Sequence, residues 1–270
     1  MSAALREASD KDLATIWPAA RAAHLFSTAD EFRAWRDLAP WRVRIDARGD
    51  AALLVPWRSH MDLLALKALW CSPGRVPRLL DDVRVVARGH GFSRLVSPLL
   101  AEEAVRPYLR GGMEVREEIV ALRAAPSAIT RATPPDGVRL RRASIGDVKG
   151  IAAVEAACFD EFWRHEADDI RRELADARLM LACEGRAVLG YTLSGVSQGN
   201  VTLGRLAVAP AAQRRGIARA LLSDVAEYAE RYGAQAVTLC TQGDNAASRG
   251  LYAVCGFREL PGRLVIAVDL

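Results

Sequence analysis

The segment of residues 201–257 constrains the fold of this chain more than any other stretch. It begins with a mostly apolar run at residues 201–208, which is closed by Pro210, and continues with a polar turn around Gly216 that leads into a helical pattern. A second strand and a second helix follow. This alternation is typical of an α/β fold. The turn also suits an anion, because successive backbone NH groups and about half a positive charge from the helix dipole meet there.

The composition limits the classes of protein to which the chain can belong. Its 270 residues, 51% of them hydrophobic, are enough for two ordinary domains. The formal net charge is +4 and no basic block stands out, so no nucleic-acid partner is expected. Because the start of the sequence has no apolar signal core and no charge-free apolar run approaches the length of a membrane span, we predict a soluble, cytoplasmic protein with no membrane partner. The five cysteines lack CxxC spacing, which predicts no disulfide framework and no metal site.

A proline-containing stretch predicts the boundary between two domains. Residues 124–137 contain three prolines among small and polar residues and show neither a helical nor a strand period. Interdomain linkers have this composition. We therefore predict a first domain at residues 1–125, a linker at residues 126–136 and a second domain at residues 137–270.

Short similar stretches recur in the same order in the two halves of the chain. They are LREAS (5–9) with LRRAS (140–144), LWCSP (69–73) with LAVAP (206–210), residues 79–83 with residues 221–225, and Tyr108 with Tyr252. One match could be chance, but ordered matches at four places predict two copies of one fold.

Both halves predict an α/β domain in which a mixed sheet is flanked by helices. In the second half the predicted elements are a strand at 138–143, helices at 147–159 and 168–176, a hairpin of strands at 179–183 and 187–196, and a strand at 236–240. In the first half they are strands at 5–8, 41–47, 51–57 and 114–123 and helices at 10–23 and 29–38.

Two motifs in the second half are typical of one family. The first is QRRGIA at residues 213–218, and the second begins at Asn245 and continues with a Leu-Tyr pair and a Gly-Phe pair within residues 251–257. With these motifs the chain resembles the GNAT superfamily of acyl-CoA-dependent N-acetyltransferases. The resemblance covers residues 137–270, and the first half joins it only through the internal repeat. The whole chain therefore resembles a tandem GNAT protein with two GNAT-like domains, the first of them degenerate.

The resemblance implies acetyl-CoA as the co-substrate, bound by the second domain. NH groups of residues 214–218 would surround its pyrophosphate, and Gly216 would permit the close approach of the backbone. Arg214 and Arg215 either add charge-assisted contacts to phosphates or form a solvated surface pair.

The pantetheine arm of the coenzyme would lie between two strands that must diverge to admit it. It would pair with backbone groups around Leu206 and Val208, and Asn245 would bond it. For Asn245 the position of a helix N-cap is equally natural. The implied coenzyme-binding residues are Leu206, Ala207, Val208, Gln213, Arg214, Arg215, Gly216, Ile217, Ala218, Asn245 and Ser248.

The reaction implied by the resemblance is direct attack of an amine on the thioester carbonyl, without an acyl-enzyme. Tyr252 is expected to act as the general acid towards the leaving thiolate, or else to be a buried packing residue. A backbone NH near Val208 would stabilise the oxyanion. Many relatives carry a glutamate on the strand at residues 200–208, which here has no carboxylate. The general base is therefore left open between Asp160, Glu161, His165 and a water relay.

The segment after the first helix of the second half is expected to border the acceptor. Phe159, Phe162 and Trp163 would line an aromatic acceptor pocket, and Asp160 or Glu161 would meet a cationic amine. The alternatives are core or lid packing for the aromatic residues and a solvated loop for the carboxylates.

The first half lacks the features that coenzyme binding requires. Its turn is shorter, Pro77 removes an NH group from it, and Ala101 stands at the place of Asn245. We predict that this domain binds no coenzyme and serves as a scaffold, an acceptor wall or the surface of a homodimer. Tyr108 is then structural.

The function predicted from the sequence is acetyl transfer from acetyl-CoA to a primary amine of a small molecule. Acetylation of protein lysines or N-termini is an alternative that differs in the acceptor. A second alternative is an acyl-CoA-sensing module without turnover, because the strand carboxylate is missing.

Overall fold

The computed structural model describes residues 5–269, and these residues fold into two units. The first comprises the described residues of 1–118 and 264–270, and the second comprises residues 119–263. Each unit is a mixed sheet with helices packed on it, which confirms the predicted α/β class. Among the described residues, no helix combines the length and the apolarity of a membrane span.

The first unit contains most of the amino-terminal elements. They are β1 (Arg6–Glu7), α1 (Asp10–Ala22), α2 (Ala29–Leu38), β2 (Val43–Ile45), β3 (Ala51–Pro56), β4 (Leu63–Trp70), α3 (Val76–Gly89), β5 (Arg94–Val96), β6 (Leu100–Ala101), α4 (Arg106–Arg110) and the start of β7 (Met113–Ala124). The strands β1 to β5 pair in sequence order, and only β4 and β5 are parallel.

The second unit follows the same plan. Its elements are β8 (Val138–Arg142), α5 (Val148–Cys158), α6 (Ala167–Asp176), β9 (Arg178–Glu184), β10 (Ala187–Ser197), β11 (Asn200–Val208), α7 (Ile217–Tyr232), β12 (Val237–Gln242), α8 (Ala246–Val254) and β13 (Arg258–Glu259). The strands β8 to β12 pair in order, and only β11 and β12 are parallel.

The repeated sequence motif produces the same local structure in both units. Ser9 and Asp12 form a capping box at the start of α1, and Arg6 donates hydrogen bonds of 2.6 and 2.9 Å to the Asp12 carboxylate. The turn before α5 repeats the capping box and the two-pronged ion pair with Arg141, Ser144 and Asp147. In each unit the guanidinium holds the pKa of the aspartate carboxyl well below its usual range.

Helices cover both faces of the sheet in the second unit. Ala207 belongs to an apolar cluster with α5, whereas its neighbour Val208 belongs to a cluster with α7. Because successive side chains of a strand point to opposite faces, α5 and α7 pack on opposite sides of β11. The end of β11 is therefore reached by both helices.

Each unit includes a strand from the other half of the sequence. The last strand of the chain, β14 (Leu264–Asp269), pairs with β5 and β6 in the first unit. Residues 119–124 of β7 pair with β12 and β13 in the second unit. This division differs from the predicted one, which put residues 1–125 and 137–270 in separate domains. An apolar strand pattern does not state which sheet the strand joins.

The predicted linker at residues 126–136 begins with residues that pack in the second unit. A 3-10 turn at Pro126–Ala128 is followed by Ile129, which is 2% exposed and lies in the core beside α7. The carbonyl of Ala128 passes so close to Gly256 that a Cβ there would lie 2.2 Å from its oxygen. This close approach, together with a φ of +95°, requires glycine at position 256.

One predicted strand of the first unit is shorter in the structure. Residues 41–47 were expected to be extended, but Pro40–Arg42 form a 3-10 turn and only Val43–Ile45 are β2. Proline suits the first position of such a turn, because its fixed φ matches and its missing NH group is not needed there.

In the first unit, the two helices that correspond to α7 and α8 pack directly against each other. The end of α4 touches the first turns of α3, where a Cβ on Gly111 would lie 2.5 Å from Leu80 Cδ1 and 3.1 Å from Pro77 Cα. Tyr108 is buried within this contact. The corresponding helices of the second unit, α7 and α8, both border a cleft.

Candidate functional site

A cleft of about 630 Å³ opens in the second unit where the end of β11 meets the starts of α7 and α8. Its volume is in the range of small-molecule sites. The predicted site residues that line it are Phe159, Leu206, Ala207, Val208, Gln213, Arg214, Gly216, Ile217, Ala218, Asn245, Ser248 and Tyr252. The predicted site residues that do not line it are Asp160, Glu161, Trp163 and Arg215.

The cleft exists because two parallel strands diverge. β11 pairs with β12 only through residues 201–203, and β12 then continues along β7. The Ala209 amide donates to the Leu189 oxygen on the β10 side at 2.8 Å. Because backbone groups alternate along a strand, the NH groups of Leu206 and Val208 point to the opposite edge, into the cleft.

The turn between β11 and α7 has the geometry of an anion site. Arg214 and Gly216 have φ values of +65° and +87°, and α7 begins without a side-chain cap. In the described part of the chain, no hydrogen bond uses the NH groups of residues 214–219. Backbone turns of this kind concentrate NH groups on one anion, and the helix dipole adds to their attraction.

Two arginines in this turn lack an ion-pair partner among the described residues. They are Arg214 and Arg219, and both line the cleft. The first turn of α7 contains no acidic residue, although acids are the side chains that a helix N-terminus favours. Arg215, in contrast, points to Glu184 and forms a surface ion pair at 2.6 Å. The excess of positive charge suits a phosphate group.

The end of β11 is held from two sides. The carbonyl oxygen of Val208 accepts a hydrogen bond of 3.0 Å from Gln213 Nε2 and one of 3.3 Å from Cys158 Sγ. Gln213, the first residue of the motif, therefore ties the turn to the strand, while Cys158 ties the end of α5 to it.

Asn245 is the N-cap of α8 and also lines the cleft. Its Oδ1 atom accepts a hydrogen bond of 3.0 Å from the Ser248 amide. The Nδ2 group of Asn245 is not used by this cap, so that one side chain can serve both the helix and a ligand.

Two variants of Asn245 separate these two roles. Asn245→Ser keeps an N-cap, and we expect it to retain the melting temperature while weakening acetyl-CoA binding by about 3- to 10-fold, the loss of one hydrogen bond. Asn245→Ala is expected to weaken binding similarly and to cost about 1 kcal/mol of stability as well. Calorimetric titration and thermal unfolding measure the two effects, and unchanged binding in both variants would leave Asn245 with the capping role alone.

Tyr252 is buried at the wall of the cleft. It is 6% exposed, and its ring packs edge-on against Phe257 at 5.6 Å. Burial raises the pKa of Tyr252 to about 12. No hydrogen bond among the described residues uses its hydroxyl, and the hydroxyl oxygen is not one of the fully buried polar atoms that lack a partner, so it keeps some exposure at the wall of the cleft. A protonated, unengaged hydroxyl at a cleft wall is suited to donate a proton to a ligand.

The segment after α5 folds as a compact turn beside the cleft. The Asp160 carboxylate accepts a hydrogen bond of 3.0 Å from the Trp163 amide, and Phe162 is buried with its ring edge-on to Trp163. Of the expected acceptor residues, only Phe159 lines the cleft. Asp160 serves the turn instead, which local sequence pattern alone did not reveal.

A buried ionic cluster lies under this turn and was not anticipated from the sequence. Glu155 of α5 is fully buried and accepts hydrogen bonds from the Tyr191 hydroxyl, from the His165 amide at 2.7 Å and from Arg205 Nη2 at 3.1 Å. Burial, followed by the charge of Glu155, raises the pKa of Tyr191. Arg205 lies on β11, the strand on which many relatives carry a glutamate.

Sequence patterns also missed several residues of the cleft wall. They are Ala157, Cys158, Ala212, Arg219, Ala247 and Leu251. A second opening of about 780 Å³ shares Gly216 and Arg219 with the cleft and continues along α7. An arginine in the first turn of a helix was the available signal for Arg219. No group of side chains suited to hold a metal ion occurs in the described part of the chain.

Comparison with protein families and curated proteins gives consistent matches. Residues 148–257 match the model of the acetyltransferase (GNAT) family. An uncharacterized N-acetyltransferase of Bacillus subtilis, YhfO, is 30% identical in an alignment of 139 residues, and the match covers 46% of this chain and 93% of that protein. A mycothiol acetyltransferase of a Nocardioides species is 27% identical in an alignment of 198 residues, and the match covers 64% of this chain and 60% of that protein.

A solved structure matches both units. A tandem GNAT protein from the clavulanic acid biosynthesis pathway has a TM-score of 0.62 and 16% identity, and the match covers 82% of this chain and 78% of that one. At this identity the match concerns the fold, and it agrees with the two similar units described above.

Proposed function

The chain belongs to the GNAT acetyltransferase family, and we propose that it moves the acetyl group of acetyl-CoA to a primary amine of a small molecule by direct attack in a ternary complex. One observation carries the proposal. A single cleft brings together an unused set of backbone NH groups, an unpaired strand edge and the hydroxyl of Tyr252.

The residues of the cleft offer contacts to two parts of acetyl-CoA, the pyrophosphate and the pantetheine arm. The unused NH groups of residues 214–219, with Arg214 and Arg219, match a pyrophosphate. The unpaired edge of β11 offers Leu206 and Val208 to an arm with amide groups, which could pair with it as an additional strand does. The bound co-substrate supplies an activated acyl thioester.

The chain's own groups would then act at the thioester end. The Val208 NH points into the cleft and would stabilise the oxyanion. Tyr252 would donate its hydroxyl proton towards the leaving sulfur. Holding the amine beside the thioester can contribute about 7 to 11 kcal/mol to the rate, so positioning is expected to dominate.

The proton of the amine is assigned to a water relay. No aspartate, glutamate or histidine lines the described cleft. Asp160 is engaged in its turn, and β11 presents Arg205 instead of a carboxylate. A relay through water to the surface is therefore favoured over a direct base.

A small-molecule acceptor is supported by the name of the mycothiol acetyltransferase relative. A second candidate is a sensing module that binds acyl-CoA without turnover, which the missing carboxylate at the cleft favours. The two candidates differ in turnover and not in coenzyme binding.

Release of free thiol distinguishes these candidates. The protein is mixed with acetyl-CoA and, separately, with leucinamide, spermidine, kanamycin and a peptide with a free N-terminus and a lysine. We expect one of the small amines to raise thiol release at least about 10-fold above the rate without amine. Stimulation by the peptide alone would move the proposal to protein acetylation. Tight acetyl-CoA binding with no stimulation by any amine would favour the sensing module.

A further inference from the structure

The buried cluster of Glu155 and Arg205 joins three separate parts of the second unit. Glu155 lies on α5, Arg205 lies on β11, and the turn at residues 159–165 lies above both. Arg205 Nη2 donates to Glu155 and also to the carbonyl of Trp163, while the Glu155 carboxylate accepts from the His165 amide. The cluster thereby fastens the backbone of the turn at two points.

The same arginine fixes the aromatic residue of the cleft wall. The guanidinium carbon of Arg205 lies 4.1 Å from the centre of the Phe159 ring. Phe159 is the residue of this turn that lines the cleft, next to Cys158. A cation over an aromatic face attracts the ring and holds its orientation.

The cluster is a poor device for stability alone. Arg205 is 9% exposed and Glu155 is fully buried, so both charges have lost most of their hydration. Arg205 Nε is buried without a hydrogen-bonding partner in the described part of the chain. Apolar pairs of similar volume often replace buried ion pairs without loss of stability. A buried ion pair that leaves Arg205 Nε without a partner is better explained by a need to hold the neighbouring backbone in one position.

The location of the cluster indicates which part of the structure it holds in place. Arg205 precedes Leu206 and Val208, whose NH groups face the cleft, on the same strand. The turn it holds carries Phe159 to the cleft wall beside Cys158, which bonds to the Val208 carbonyl at 3.3 Å. The strand edge and the opposing wall are therefore set relative to each other through Arg205.

We propose that Glu155 and Arg205 are positioning residues that hold Phe159 and its turn against β11 and thereby set the acceptor side of the cleft. The inference rests on the proposed function. Neither residue lines the cleft, so they act through Phe159 and not by contact with the substrates. The proposal separates the acceptor wall, which depends on the cluster, from the coenzyme wall, which depends on the turn before α7.

The test replaces both charges together, so that no buried charge is left alone. The variant is Arg205→Met with Glu155→Leu. A matched control exists in the same unit, because Arg178 and Asp224 form another buried pair, with hydrogen bonds of 2.6 and 2.9 Å, between β9 and α7. The control variant is Arg178→Met with Asp224→Leu, and neither of its residues lines the cleft.

Three measurements are made on both double variants. Calorimetric titration gives the Kd for acetyl-CoA, steady-state thiol release gives kcat and KM for the most active amine among leucinamide, spermidine and kanamycin, and hydrogen exchange follows the amides of residues 159–166. For the cluster variant we expect an unchanged Kd, a kcat/KM for the amine lowered by about 10- to 100-fold, and faster exchange in residues 159–166. The control variant is expected to match the wild type in all three.

The outcomes separate this inference from the proposed function. Wild-type protein that releases no thiol with any amine would refute the function and the inference together. Normal wild-type turnover with an unchanged kcat/KM for the amine in the cluster variant, or unchanged exchange in residues 159–166, would overturn the inference alone. An equal loss of kcat/KM in the control variant would show a general effect of buried charge and would also overturn it.

Discussion

Replacing Gly216 with glutamate is expected to weaken acetyl-CoA binding by at least about 100-fold, which corresponds to about 2.7 kcal/mol. Gly216 lines the cleft at the start of α7, with a φ of +87° and no protein atom within 4 Å of an added Cβ. The new side chain would therefore enter the space of the ligand. Its carboxylate would take up the NH groups of residues 214–219 and repel the pyrophosphate.

A glycine at the other end of α7 provides the matched control. Gly233 also has a positive φ, +73°, and no protein atom within 4 Å of an added Cβ. Gly233→Glu introduces the same strain, about 1–2 kcal/mol, at a place remote from the cleft. We expect calorimetric titration to show wild-type binding for this control and intermediate binding for Gly216→Ala. Full binding by Gly216→Glu would refute the assignment of the turn.

The coenzyme turn could be predicted from the sequence because its geometry is local. A glycine at a positive φ, a helix start without a cap and a preceding apolar strand lie within residues 201–218, and each has a sequence signature. The repeated capping box before α1 and α5 is local for the same reason. Its arginine, serine and aspartate all lie within seven residues, as in Arg6–Asp12.

The acceptor side could not be predicted because it depends on contacts between distant residues. In the sequence, Glu155 looks like an ordinary polar residue of a helix. Arg205 lies on a strand that was noted only because it has no carboxylate. They meet across a separation of 50 residues in the sequence, under a turn whose own carboxylate, Asp160, serves its backbone. Both charges are buried by tertiary packing, and the hydrophobic pattern of the sequence does not predict this burial.

The strand composition of the two units was also beyond the reach of sequence patterns. The sequence of β14 is that of an apolar strand, and such a strand could pair equally well with the sheet of either unit. In the structure its Asp269 carboxylate accepts hydrogen bonds from Arg84 and from the Leu95 amide of the first unit. The partners that select the sheet are thus about 170 residues or more away.

The hydroxyl of Tyr252 is expected to contribute to turnover and not to coenzyme binding. Tyr252→Phe is expected to lower kcat for the most active amine by about 10²-fold and to change the Kd for acetyl-CoA by less than about threefold. The effect belongs at the low end of general-acid catalysis, because a thiol titrates near 8.5 and its thiolate leaves without much help. Since burial raises the pKa of Tyr252 to about 12, the hydroxyl stays protonated below that pH, and the ratio of the two rates should hold from about pH 7 to pH 10.

Tyr108 supplies the control for this variant, because it shares the chemistry of Tyr252 but not its surroundings. Burial raises the pKa of Tyr108 to about 12 as well. However, Tyr108 lies in the first unit, where α4 packs on α3, whereas all residues that line the cleft belong to the second unit. Tyr108→Phe should therefore leave kcat unchanged. Equal turnover by Tyr252→Phe and the wild type across the pH range would remove the acid role and leave Tyr252 as a packing residue against Phe257. A loss of coenzyme affinity in place of kcat would instead make its hydroxyl a binding group, since a true acid acts only as the carbon–sulfur bond breaks.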